Sequence, residues 1–101
     1  MQEKDGAGSS EFRLFETDEF RKQLSKLPSL DGNRIRRKLE ARIYSQLRSN
    51  PYVGPNIRKL RGYEPETWRY RVGGFRLFYQ VDAGERIVFL LTIEHRRDAY
   101  R

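Results

Sequence analysis

Residues 68–79 read Trp-Arg-Tyr-Arg-Val-Gly-Gly-Phe-Arg-Leu-Phe-Tyr, and that pattern prescribes a β-hairpin. Trp68, Tyr70 and Val72 alternate with Arg69 and Arg71, the period of a half-buried strand, and Gly73-Gly74 supplies a two-residue turn. Such a loop fixes register. Val72 pairs with Phe75, Arg71 with Arg76, Tyr70 with Leu77 and Arg69 with Phe78, so Arg69, Arg71 and Arg76 share one face. Like charges placed opposite each other cost a sheet roughly 0.2–1 kcal/mol per pair. Tolerance of that cost points to an anion on the face, either phosphate or a partner's carboxylates.

The 101 residues suffice for one core, with a net charge of +7 and 35% charged residues. The 13% aromatic content and the apolar run between Arg86 and Glu94 argue for a folded body rather than a disordered one. In the second half arginine dominates lysine, which favours planar, bidentate recognition of phosphate. Nucleic acid is therefore the first partner class and an acidic protein the second. With no cysteine, disulfides, zinc-thiolate sites and thiol nucleophiles are excluded. The lone His95, without an acidic cluster beside it, points to no metal and no cofactor. No stretch has the apolar length of a membrane span and the first residues lack a signal core, so the expectation is a cytoplasmic protein without membrane attachment.

Residues 1–11 lack periodicity and read as a disordered leader; residues 12–101 read as a single domain. Phe12 to Phe15 is a short strand. Thr17, followed by Asp18 and Glu19, caps a helix with Phe20, Leu24 and Leu27 on one face. Pro28 and a Leu30-Asp31-Gly32 turn end it, and a second helix begins near Asn33 with Ile35, Leu39, Ile43 and Leu47 at spacing four. Arg34, Arg36, Arg37, Lys38, Arg42 and Arg48 cover the rest of this helix, as a solvated face or a docking surface for an acidic partner or RNA. From Pro51 to Thr67 the glycines and prolines predict a long loop, and Arg58, Lys59 and Arg61 within it are candidate RNA contacts. After the hairpin the chain turns at Ala83-Gly84 and returns as Arg86 to Glu94, apolar on both faces and so suited to the middle of a sheet. The fold class is α+β: an N-terminal strand, two antiparallel helices, then a three-stranded antiparallel meander forming one small sheet.

That order, with Lys59-Leu60-Arg61-Gly62, Trp68-Arg69-Tyr70-Arg71-Val72, Gly74-Phe75-Arg76-Leu77-Phe78-Tyr79 and His95-Arg96-Arg97-Asp98-Ala99-Tyr100, resembles the RelE/ParE superfamily of type II toxin–antitoxin systems, and its RelE branch in particular. The resemblance implies a ribosome-dependent ribonuclease that cuts messenger RNA in the ribosomal A site, contacts ribosomal RNA, and is silenced by a cognate antitoxin. Carried over by position, it assigns basic strand residues to Arg69 and Arg71, a hairpin arginine to Arg76, a late arginine to Arg96 and a C-terminal tyrosine to Tyr100. The best-studied members carry lysines where Arg69 and Arg71 stand; some relatives use a histidine near the C-terminus, which His95 matches.

Metal-free cleavage of RNA requires deprotonation of a 2′-hydroxyl, stabilisation of a phosphorane-like transition state, and protonation of the leaving 5′-oxygen. The products are a 2′,3′-cyclic phosphate and a 5′-hydroxyl. Arg76, with Arg71 beside it, suits the charge-stabilising task, since a guanidinium offers two parallel N–H donors. Arginine does not readily release its proton. An ordinary imidazole titrates near neutrality, about 6.5, which makes His95 the candidate acid or base. Tyr100 suits stacking on a base or orienting the hydroxyl, and Arg96 suits phosphate binding. Trp68, Tyr70, Phe75, Leu77 and Tyr79 belong to the core on the opposite face, while Phe78 shares the arginine face. Two other readings fit the same residues: a ParE-like toxin that poisons DNA gyrase without a nuclease site, and a non-catalytic RNA-binding module.

Overall fold

The computed structural model describes residues 11–95. The proposed leader, apart from Glu11, and the candidates Arg96 and Tyr100 lie outside the described residues. Strand β1 (Arg13–Glu16) is followed by helix α1 (Asp18–Lys26) and helix α2 (Ser29–Lys38). A π-helical turn (Leu39–Ile43) then leads into α3 (Tyr44–Ser49), and β2 (Ile57–Leu60), β3 (Thr67–Val72), β4 (Phe75–Asp82) and β5 (Ile87–His95) complete the order. The sheet has five strands in the order β1-β5-β4-β3-β2, with β1 parallel to β5 and the other pairs antiparallel. The expected meander β3-β4-β5 is thus the centre of a larger mixed sheet rather than the whole of it.

Thr17 works at both ends of the first junction. Its hydroxyl accepts the N–H of Phe20 at 3.1 Å, capping α1, and donates to the carbonyls of Leu90 and Leu91 at 2.8 and 3.1 Å, closing β1 against β5. The expected Leu30-Asp31-Gly32 turn is instead helix: α2 starts at Ser29, directly after Pro28, and the N–H of Gly32 reaches the Pro28 carbonyl at 2.7 Å. Proline is compatible with a helix start because its missing N–H would have no partner there. Gly32 is a buried residue of α2, close to Leu27, rather than part of a turn.

The spacing of four along Ile35, Leu39, Ile43 and Leu47 also has a structural answer. Each four-residue step on an α-helix overshoots a full turn by roughly 40°, so such a stripe drifts around the cylinder. The π-helical turn at Leu39–Ile43, wider by one residue, takes up that drift, and all four side chains are buried against the sheet. They meet Tyr70, Val72, Phe75, Leu77, Tyr79, Val88, Leu90 and Ile93 in one core on the helix side. The phenol of Tyr79 donates to the carbonyl of Pro51 at 2.6 Å inside that core; burial pushes its pKa up.

Among the described residues, no helix covers the other face of the sheet. At its β1–β5 end Phe15 and Phe89 meet edge to face at 5.7 Å, with Phe15 exposed. No helix among the described residues is long and apolar enough to cross a membrane.

Candidate functional site

The hairpin register is the one the Gly-Gly turn predicts: Val72 opposite Phe75, Arg71 opposite Arg76, Tyr70 opposite Leu77 and Arg69 opposite Phe78. Gly73 has φ +59° and Gly74 does not have a positive φ, the pattern of a type II′ turn, so glycine is needed at the first turn position. Side chains alternate across a strand, so this register puts Tyr70, Val72, Phe75, Leu77 and Tyr79 in the core and every hairpin arginine on the open face.

The segment expected as a loop from Pro51 to Thr67 contains β2, which enlarges the cluster. Arg58 stands directly opposite Arg69, Ile57 opposite Tyr70 and Lys59 opposite Trp68. Two rows therefore cross the open face. One runs Arg58, Arg69, Phe78, Thr92 from β2 to β5; the next runs Arg71, Arg76, Glu94 from β3 to β5. Among the described residues, these two rows hold four guanidinium groups and one carboxylate. Burial first, and then the charges of Arg71, Arg58 and Arg76, hold the Arg69 guanidinium below its ordinary pKa.

The cluster is short of acceptors. Arg76 reaches only Glu94, with Nη2 at 3.9 Å from Oε1, and the Nε atoms of Arg69 and Arg76 are buried without a hydrogen-bond partner among the described residues. A buried donor left unsatisfied costs about 1–3 kcal/mol, so an anion that supplies oxygen atoms is the chemically matched occupant.

The other predicted residues divide. Lys59 lies on the helix-side row and pairs with Glu66 at 2.9 Å; that contact holds the Glu66 carboxyl below its ordinary range. Arg61 is exposed in the turn after β2. Neither joins the arginine rows. His95 stands opposite Phe75, its ring edge-on to that phenyl at 4.7 Å, and therefore projects to the helix side. It is not on the face of Arg71 and Arg76. A groove of about 680 Å³ at the C-terminal end of β5 is nevertheless bordered by Arg76, Glu94 and His95 together. No group of three potential metal ligands occurs among the described residues.

The sequence reading named Arg58 as a contact from a loop and did not name Glu94. Arg58 joins the cluster only because β2 pairs with β3, and Ile57–Leu60 is too short and too mixed to announce a strand. Glu94 reads as the last residue of an apolar strand until the β4–β5 register places it beside Arg76. No local signal marked it: with Val88 and Leu90 in the core, plain alternation along β5 would turn Glu94 inward, and the register shift opposite Phe78 and Tyr79 is what turns it outward.

A family model described as the ParE toxin of the type II toxin–antitoxin system parDE matches residues 15–100. Among solved structures, the RelBE toxin–antitoxin complex from Mycobacterium tuberculosis aligns at 25% identity and TM-score 0.65, covering 85% of this chain and 92% of that one. The intact Escherichia coli RelBE complex aligns at 26% identity and TM-score 0.61, covering 83% and 95%. The RelB–RelE complex from Methanococcus jannaschii shares the fold at 24% identity and TM-score 0.60, covering 85% and 94%. A search of curated proteins finds no match.

Proposed function

This chain belongs to the ParE toxin family of type II toxin–antitoxin systems, within the RelE/ParE superfamily, and from that premise we propose that it is a ribosome-dependent messenger RNA endonuclease that inhibits translation. The observation that carries the reading is the pair of arginine rows on the open face, with buried Nε donors on Arg69 and Arg76 that lack partners among the described residues. A scissile phosphate and its neighbours supply the oxygens those donors need.

In this reading Arg71 and Arg76 clamp the phosphate and oppose the charge that builds on it during 2′-oxygen attack. Arg69 and Arg58 hold the neighbouring backbone, and Phe78 offers an aromatic surface next to Arg69. His95 serves proton transfer from the rim of the groove it shares with Arg76. Arg96 and Tyr100 keep the roles that the family resemblance gives them. Lys59 and Arg61, at the far edge of the sheet, meet RNA only beyond the cluster. The products are a 2′,3′-cyclic phosphate and a 5′-hydroxyl, formed in the cytoplasm on messenger RNA in the ribosomal A site, without metal or cofactor. The M. tuberculosis and E. coli relatives are seen in complex with antitoxins, and a cognate antitoxin is proposed here as well.

The family model's own description favours a second reading, a ParE-type toxin that poisons DNA gyrase by binding. One experiment separates the two. The purified chain is added to programmed ribosomes and, separately, to gyrase acting on supercoiled DNA. Codon-dependent cuts in the messenger support the nuclease; trapped DNA breaks with intact messenger support the gyrase poison.

A further inference from the structure

Strand β5 outruns its parallel neighbour. β1 ends at Glu16, opposite Leu90, so the last residues of β5 run beside α1 instead of a strand. Gln23 of α1 accepts the N–H of Ile93 at 3.0 Å, which fixes the backbone just before Glu94 and His95. The groove left at this rim is bordered by Lys26 of α1 and by Arg76, Glu94 and His95.

Consecutive strand residues point to opposite faces. Glu94 lies on the arginine face, its Oε1 3.9 Å from the Arg76 guanidinium; His95 lies on the helix side, against Phe75. A phosphodiester held by Arg76 at this rim has a carboxylate on one side and an imidazole on the other. In-line displacement at phosphorus needs that arrangement, because the nucleophile enters and the leaving group departs from opposite sides.

Arginine keeps its proton, and among the described residues Glu94 is the one carboxylate in the row with Arg71 and Arg76. We propose that Glu94 is the general base of the cleavage reaction, which assigns His95 as the general acid; the inference rests on the nuclease reading above. The Glu94 carboxylate takes the proton of the 2′-hydroxyl as the 2′-oxygen bonds to phosphorus. The bond from phosphorus to the 5′-oxygen breaks, and that oxygen takes a proton from the imidazolium of His95. Proton exchange with water restores both groups, so nothing is consumed. The charged groups around Glu94 are Arg76 on β4, Arg71 beyond it on β3, Lys26 on α1 and His95 next to it in the chain.

The test uses programmed ribosomes under single-turnover conditions with wild type, Glu94→Gln and His95→Gln, and a second messenger carrying sulfur in place of the scissile 5′-oxygen. A thiolate leaves without protonation. Glu94→Gln is expected to cut the oxygen messenger about 100-fold or more slowly, with ribosome binding retained and the acidic limb of the pH profile lost. The sulfur messenger is expected to rescue His95→Gln and to leave Glu94→Gln slow. For wild type it removes the alkaline limb and keeps the acidic one, a result that does not depend on any variant folding. Glu94→Gln at the wild-type rate with its acidic limb intact, or rescued by sulfur as fully as His95→Gln, overturns the assignment and leaves the nuclease reading standing. A wild type that cuts no messenger overturns both.

Discussion

Arg71 and Arg76 stand directly opposite each other on the open face of the sheet, a like-charge pair imposed by the type II′ turn between them. The arrangement opposes stability and, in the nuclease reading, serves charge stabilisation, so the two properties should respond to mutation in opposite directions. Arg71→Gln is expected to raise the unfolding free energy by about 0.2–1 kcal/mol in chemical denaturation. The same change should slow cleavage by roughly 100-fold to 1000-fold, the usual effect of losing one donor to a developing oxyanion.

Arg58 and Lys59 are adjacent in sequence and face opposite sides of β2. Arg58→Ala should weaken RNA binding and flatten its salt dependence by roughly one phosphate contact, a slope change of about 0.7–0.9. Lys59→Ala, whose ammonium is paired with Glu66, should change the slope less. Titrations of a single-stranded oligonucleotide at several salt concentrations compare the two; equal slope changes would contradict the face assignment.

Glu66 should titrate below its ordinary value of 4.5, chiefly because of its hydrogen bond from Lys59. The sign follows from linkage: a carboxyl depressed in the folded state stabilises the fold above its unfolded pKa, and that contribution is lost as pH falls through the folded value. Lys59→Met should raise the Glu66 titration toward the ordinary range and reduce this part of the acid sensitivity. Side-chain carbon shifts followed against pH provide the measurement.

The hydroxyl of Tyr79 holds the carbonyl of Pro51 where the chain leaves α3. Tyr79→Phe keeps the ring and orphans a buried acceptor, which costs about 1–3 kcal/mol. Because this carbonyl anchors the segment before β2, hydrogen exchange should rise in β2 more than in β4 or β5.

Gly32 sits inside α2, where alanine is favoured over glycine by about 0.8–1 kcal/mol. A methyl group there would meet the tip of the Arg36 side chain at 3.2 Å and Leu27 at 3.7 Å. A guanidinium tip moves easily, so Gly32→Ala should stabilise the protein by about 0.5–1 kcal/mol in thermal or denaturant unfolding.

Local signals found the elements whose causes are local. The Gly-Gly turn fixed every pair in the hairpin, and Thr17 marked the start of α1 because its cap bond spans three residues. Elements that exist through a neighbour were misread. Ile57–Leu60 has no strong strand pattern and becomes a strand by pairing with β3. Leu30-Asp31-Gly32 has turn composition, yet it lies within α2 with Gly32 buried.

The candidate site divides in the same way. Register and side-chain alternation are properties of consecutive residues, so the sequence by itself determined that Arg69, Arg71 and Arg76 share a face and that Trp68, Tyr70, Phe75, Leu77 and Tyr79 do not. Which groups outside the hairpin meet that face depends on strands far apart in the chain, and only the tertiary structure decided it. Pairing with β2 added Arg58, the β4–β5 register added Glu94, and the same register turned His95 to the opposite side of the sheet.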